Sequence, residues 1–181
     1  MTNQAFLDHL KCSTAHRLSR EYVCNLVFNQ PDLLNVIFEY GCEIKLNDYH
    51  KSWWVMELIF EEKPSWLLPI INEFCFVCSK ITSDSALRSV TKICLFISKS
   101  NLFNLNESQK NQVYQCLFDC LIETKKAANA AYSMYALYEF GKKDVWIHEE
   151  LQLILSKGFD NQTPAYRAAT KKTLYKLNKK S

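Results

Sequence analysis

The chain has 181 residues, of which 48% are hydrophobic and 23% are charged, and it contains only three glycines and four prolines. A chain of this length can bury roughly two-thirds of its unfolded surface within one domain. So few turn-forming residues exclude a sandwich or barrel of many short strands. Long apolar-periodic stretches between short polar breaks instead predict an all-α protein.

The formal net charge of +3 is distributed unevenly along the chain. Residues 1–90 contain 8 Lys and Arg against 11 Asp and Glu, whereas residues 91–181 contain 14 against 8. The basic C-terminal part would favour an acidic partner at that end. A solvated final helix explains the same pattern, and the sequence leaves both interpretations open.

Features of secretion and membrane insertion are missing from the sequence pattern. Residues 1–10 lack the basic start and apolar middle of a signal peptide, and no apolar window approaches the roughly 20 residues that span a bilayer. We therefore expect a cytoplasmic protein without a membrane partner. Its eight cysteines are scattered through apolar stretches, where in a reducing compartment they would pack as small hydrophobic residues.

Helices are predicted in chain order from apolar periodicity. Two helices, at about residues 3–11 and 14–29, would form an N-terminal cap over residues 1–30. Four helix pairs are predicted after the cap, at residues 31–62, 64–100, 107–141 and 144–179.

Several residues are predicted to mark the ends of these helices. Pro31 and Pro64 suit a first helical turn, where the missing N–H is tolerated. Three residues of the kind that cap a helix N-terminus precede predicted helices: Ser83, Asp144 and Thr163. Gly141 and Gly158 are predicted to end helices, because a positive φ is readily adopted only by glycine.

An internal repeat relates the second helices of the four pairs. Lys51, Arg88, Asn129 and Arg167 can be superimposed at intervals of 37, 41 and 38 residues, which is the spacing of helix-pair repeats. Taking these residues as position zero, the rows at +2 and +5 are expected to point inward. These rows are Trp53, Val90, Ala131 and Ala169, and Met56, Ile93, Met134 and Lys172, where Lys172 is expected to break the apolar row at the terminal unit.

Two segments carry a resemblance to a known kind of repeat. Residues 66–74 (WLLPIINEF) resemble the first helix of a HEAT repeat, and residues 84–90 (DSALRSV) resemble the start of its second helix. The resemblance implies an armadillo-type, right-handed α-α superhelix with about ten helices in stacked antiparallel pairs. It implies a single HEAT-like domain over residues 1–181, with the concave side formed by the second helices.

Rows zero, +3 and +4 of the repeat are predicted to line this concave face. The candidate partner-binding residues are Lys51, Trp54, Val55, Arg88, Lys92, Asn129, Tyr132, Ser133, Arg167 and Lys171. Exposed cations and aromatic residues of this kind could hold an acidic helix, a peptide or a phosphate chain. Alternatively, the cations pair with Asp48, Asp84 or neighbouring helix C-termini and only order the stack, and the aromatic residues are core.

Candidate catalytic and metal-binding residues are not found in the sequence. Cys75 and Cys78, and likewise Cys116 and Cys120, have metal-like spacing, but no matching histidine pair accompanies them, so we expect structural cysteines. Four carboxylates are predicted to lie on solvated helix faces: Glu57, Glu61, Glu62 and Glu73. We therefore expect no catalytic residues, no metal and no cofactor.

The resulting hypothesis is a non-enzymatic scaffold that binds a protein or peptide on its concave face. The alternative is a nucleic-acid-binding protein, because DNA alkylation-repair glycosylases resemble it in using HEAT-like stacks with basic concave surfaces. The thin density of cations and the acidic first half of the chain favour the first hypothesis.

Overall fold

Ten α-helices and one 3₁₀ helix form the part of the chain that the computed structural model describes, which is residues 1–123, 126–157 and 162–179. No strand is present in these ranges, so the all-α prediction is confirmed. The helices are α1 (Asn3–Cys12), α2 (Arg17–Asn29), α3 (Leu33–Cys42), α4 (His50–Glu62), the 3₁₀ helix (Pro64–Ile70), α5 (Ile71–Cys78), α6 (Asp84–Lys99), α7 (Glu107–Glu123), α8 (Ala127–Phe140), α9 (Trp146–Ser156) and α10 (Pro164–Asn178). None of them is both long and apolar enough to cross a membrane.

The even-numbered helices pack in one row. In this row α2 packs on α4, α4 on α6, α6 on α8 and α8 on α10, and α6 with α8 is the most extensive of these contacts. Odd-numbered helices contact this row, since α3 contacts α4, α7 contacts α8 and α9 contacts α10. Every even-numbered helix from α4 to α8 therefore contacts both of its even-numbered neighbours and at least one odd-numbered helix.

One predicted helix is divided into two. The segment that resembles the first helix of a HEAT repeat begins within the 3₁₀ helix and continues as α5. Pro69 lies near the end of the 3₁₀ helix. Proline has no N–H to donate, and its ring collides with the preceding turn of an α-helix, so a continuous helix across this position is disfavoured.

The predicted helix ends are only partly correct. Thr163 caps α10, since its Oγ1 accepts a hydrogen bond of 3.3 Å from the Tyr166 N–H. Ser83 precedes α6 without a capping side-chain bond. Asp144 is not a cap, because its carboxylate instead accepts a hydrogen bond of 2.6 Å from the hydroxyl of Tyr114.

Gly141 ends α8 as predicted, but not for the predicted reason. Its φ is −63°, which any residue adopts. A Cβ at this position would lie 2.1 Å from Cδ2 of His148, whose Nε2 is 2.7 Å from the Tyr138 carbonyl oxygen. Glycine is required here by the close approach of a ring, and the second predicted helix-ending glycine, Gly158, lies outside the described residues.

The inward rows of the repeat are largely confirmed. Trp53, Val90, Met56, Ile93 and Met134 are fully buried. In the same rows Ala169 is buried, Ala131 is half-buried and Lys172 is exposed, as expected for a terminal helix. These side chains form one core with the apolar residues of the odd-numbered helices.

Trp53 joins even- and odd-numbered helices at the centre of this core. Its Nε1 donates a hydrogen bond of 2.9 Å to the Gly41 carbonyl at the end of α3. The ring centroids of Phe38 and Phe74 lie 6.1 and 6.0 Å from its own. A large aromatic ring with a satisfied N–H is stable in such a position.

We predict that Gly141→Ala lowers the free energy of unfolding by about 1–3 kcal/mol, because the added methyl group overlaps the anchored ring of His148. Urea denaturation monitored by circular dichroism measures the change. In a His148→Ala background the same substitution should change stability by less than about 0.5 kcal/mol. An equal loss in both backgrounds would contradict the steric explanation.

Candidate functional site

The candidate partner-binding residues do not all reach the surface. Val55, Asn129 and Ser133 are buried, so the prediction that they face solvent is wrong. The physical reason is that α4 and α8 each lie between two other even-numbered helices, which narrows their exposed arc. Asn129 faces α6, where its Nδ2 donates to the Asp84 carbonyl over 3.0 Å.

The other seven candidates keep part of their surface exposed. Lys51, Trp54, Arg88, Lys92 and Tyr132 are partly exposed, and Arg167 and Lys171 are fully exposed. We call the surface that α2, α4, α6, α8 and α10 present away from the odd-numbered helices the even-helix face.

One of the predicted alternatives describes Lys51 better than free exposure does. Lys51 donates through its Nζ to the Lys11 carbonyl, which lies in the last turn of α1. This is the expected contact with a neighbouring helix C-terminus. Of the expected acid partners, Asp48 accepts a hydrogen bond of 2.7 Å from the hydroxyl of Tyr40, and Asp84 accepts one of 3.4 Å from Nδ2 of Asn129.

Glu57 holds the cations of α6, and this residue was wrongly predicted to be solvated. Its side chain is 2% exposed. It accepts hydrogen bonds from Ser89 Oγ at 2.6 Å, from Lys92 Nζ at 2.9 Å and from Arg88 Nη1 at 3.3 Å. Lys92 also lies 3.2 Å from Glu61. A buried carboxylate is tolerated only when it is bonded in this way.

The charges around Glu57 also act on Lys92. Burial lowers the pKa of Lys92, but the hydrogen bond and negative charge of Glu57, together with Glu61, outweigh burial and raise that pKa. Lys92 is therefore a structural cation, whereas Arg88 is 39% exposed and has further N–H groups to offer.

An open cleft lies beside Arg88 and is lined by residues of three even-numbered helices. We call it the arginine cleft; its volume is about 310 Å³ and its lining residues are Ala15, Arg20, Trp54, Ser85 and Arg88. Two guanidinium groups and no carboxylate line it. Trp54 forms one wall, and the ring of His50 packs edge-on against Trp54 with centroids 4.7 Å apart. An anion with an apolar portion matches these surroundings.

A second cleft lies where α6, α8 and α10 meet. We call it the lysine cleft; its volume is about 210 Å³ and its lining residues are Lys99, Tyr135, Tyr138, Glu139, Lys172, Thr173 and Lys176. The ammonium groups of Lys172 and Lys176 lie 5.5 and 5.1 Å from the ring centroids of Tyr135 and Tyr138. The cations of α10 that lie beside α8 are therefore Lys172 and Lys176, and not the predicted Arg167 and Lys171.

A further cleft of the face is acidic. A cleft of about 410 Å³ between α2 and α4 is lined by Arg17, Glu21, Cys24, Asn25, Leu58, Glu61 and Glu62. Arg17 is paired with Glu21 at 2.6 Å, which leaves the carboxylates of α4 in excess. The face therefore carries an acidic cleft and two basic clefts, and the acidic cleft and the arginine cleft both involve α2 and α4.

The cysteines with metal-like spacing lie in the core as free thiols. Cys75, Cys78, Cys116 and Cys120 are all buried, as expected for structural cysteines. Cys78 Sγ donates to the Cys75 carbonyl over 3.1 Å, and burial raises the pKa of Cys75 to about 12. Within the described ranges, no group of histidine, cysteine and carboxylate side chains is arranged to hold a metal ion.

Arg20 and Glu57 show what sequence reasoning missed. Arg20 belongs to the predicted cap, outside the repeat register, and only packing of α2 against α4 places it beside Arg88. Glu57 follows Met56 by one residue and could have been suspected, because it interrupts an apolar run from Trp53 to Phe60. Its partners on α6 are 31–35 residues away along the chain.

Comparisons with known proteins gave no relative on which a function could be based: no family model, curated protein or solved structure matches the chain significantly.

We predict that Glu57→Ala lowers the free energy of unfolding by about 2–3 kcal/mol, because Ser89 loses its acceptor and two cations lose their common partner. Urea denaturation measures this change. Glu61→Ala is the matched control, and should cost less than about 1 kcal/mol because Glu61 is exposed and Lys92 keeps Glu57. Equal losses for the two variants would show that the buried carboxylate has no special role.

Proposed function

We propose that the protein is a non-enzymatic scaffold that holds a segment of a partner protein on the even-helix face. The observation that supports this most directly is the arginine cleft, in which Arg88 and Trp54 lie side by side and open to solvent. Aromatic and arginine side chains in such positions contribute strongly to protein interfaces. The cleft lies between helices, as expected of a binding groove on a stack of helix pairs.

The proposal includes the HEAT-like superhelix, with the even-helix face as its concave side. The continuous row from α2 to α10, with contacts from α3 to α4, α7 to α8 and α9 to α10, is what stacked helix pairs would produce. A cytoplasmic location belongs to the same proposal, and the eight free cysteines are in keeping with it.

The charge pattern suggests how the partner segment would lie. Acidic residues of the partner would be attracted to the arginine cleft and the lysine cleft, and a basic residue would be attracted to the acidic cleft that Glu21, Glu61 and Glu62 line. Charge complementarity of this kind fixes orientation and raises the association rate more than it raises affinity.

A second candidate function, nucleic-acid binding, is favoured by the lysine cleft. Lys99, Lys172 and Lys176 surround Tyr135, and Glu139 beside them is paired with Lys142. Ammonium groups next to an aromatic ring could hold a phosphate and a stacked base. The acidic cleft would repel a long polyanion, so we rank this function below peptide binding.

We predict that the protein captures a partner from extract of its native organism, and that Arg88→Gln with Tyr132→Ala removes this partner without reducing helicity. Capture followed by mass spectrometry and circular dichroism measures both. Lys143→Gln with Tyr22→Ala is the matched control, since these residues are exposed elsewhere and Tyr22 contacts His9 of α1. Equal capture by both double variants would refute binding on the even-helix face.

We predict weak binding, or none, to single- and double-stranded DNA oligonucleotides at about 50 mM salt, because the face carries carboxylates as well as cations. Fluorescence anisotropy measures it. Tight binding that falls steeply with salt, and that is lost in Lys172→Gln with Lys176→Gln, would replace the peptide hypothesis with the nucleic-acid one.

A further inference from the structure

The arginine cleft contains an unsatisfied donor. The Nε of Arg20 is buried and has no hydrogen-bond partner among the described residues. A buried N–H without an acceptor costs free energy, and this cost is greater for a charged group. Arg20 itself lines a cleft that a ligand can enter, so a ligand that supplies an acceptor and lets this side chain adjust would satisfy the donor.

Arg88 can turn towards the same ligand at little cost. Its only contact with Glu57 is a bond of 3.3 Å through Nη1. Glu57 would keep shorter bonds to Ser89 and Lys92 if Arg88 moved away. The guanidinium has five N–H groups in a planar fork that matches the two oxygens of a carboxylate.

The surrounding charges select the kind of anion. Arg20 and Arg88 bring two positive charges, but the negative charge of Glu57 next to Arg88 offsets one of them. A singly charged carboxylate therefore balances the cleft better than a doubly charged phosphate does. Trp54 provides an apolar wall for the methylene groups that carry such a carboxylate in a side chain.

We propose that the arginine cleft binds one acidic side chain of the partner segment, with Arg20 and Arg88 on its carboxylate and Trp54 against its methylene groups. This inference rests on the proposed scaffold function and names the residue type that the scaffold recognises. The first turn of α6, with Ser85, forms the floor of the site.

The four arginines of the chain allow a direct test, because each gives one Nε–H signal in a ¹⁵N–¹H NMR spectrum. The probe is the capped pentapeptide Ala-Ala-Glu-Ala-Ala. The signals of Arg20 and Arg88 should move during titration to about 10 mM. The signals of Arg17, which is paired with Glu21, and of Arg167 on α10 should stay in place. The peptide with Gln in place of Glu should move none of them.

Substitution provides the second measurement. Arg20→Gln should weaken binding of the Glu peptide roughly tenfold or more, because it removes one guanidinium group and its charge-assisted hydrogen bonds to the carboxylate. Arg17→Gln, three residues earlier on the same helix, should change the affinity less than about twofold, because Arg17 lies outside the cleft. If Arg20→Gln does not fold, Arg20→Lys replaces it, and it should also bind more weakly because it lacks the fork.

Three outcomes would overturn the inference. They are equal shifts with the Glu and Gln peptides, shifts of all four arginines together, and no shift at the highest concentration. A phosphoserine peptide that shifts Arg20 and Arg88 when the Glu peptide does not would also overturn it. If partner capture still depends on Arg88 and Tyr132 in these cases, the proposed scaffold function is retained and only the proposed carboxylate site is rejected.

Discussion

The structure depends on one packing constraint: no helix pair of this chain can bury its apolar side chains without the next pair. Residues such as Trp53 and Met56 are buried against the odd-numbered helices, and Val55, which lies between them in the sequence, is equally buried. A helix that is apolar on this much of its circumference needs neighbours on several sides. The row from α2 to α10 supplies them, which is why the core is continuous through all the described helices.

The same constraint brings a carboxylate into the core and determines which cations remain available. Glu57 lies on the arc of α4 that α6 covers, and the ion pairs and hydrogen bond from α6 compensate for its burial. Lys92 contacts two carboxylates, so its ammonium group is not available to a partner. Arg88 is held by a single longer bond and stays 39% exposed, so it can serve both the stack and a partner.

The even-helix face therefore combines structural and available charges. Its acidic cleft is lined by α2 and α4, its arginine cleft by α2, α4 and α6, and its lysine cleft by α6, α8 and α10. A partner segment with one basic and several acidic residues would be oriented by these three clefts. The enclosed thiols of Cys75, Cys78 and Cys116 lie in the core and take no part in this surface.

The sequence by itself determined the helical class, the approximate helix positions and the inward rows that contain Trp53 and Ile93, because composition and 3.6-residue periodicity are local properties. It did not determine that Val55 and Ser133 are buried, or that Arg20 of the cap meets Arg88. Periodicity shows which arc of a helix is apolar, but how wide an arc is covered depends on neighbours that are distant along the chain. The tertiary structure alone decided which charged side chains stay on the surface, because burial of each depends on contacts between helices and not on its own residue type.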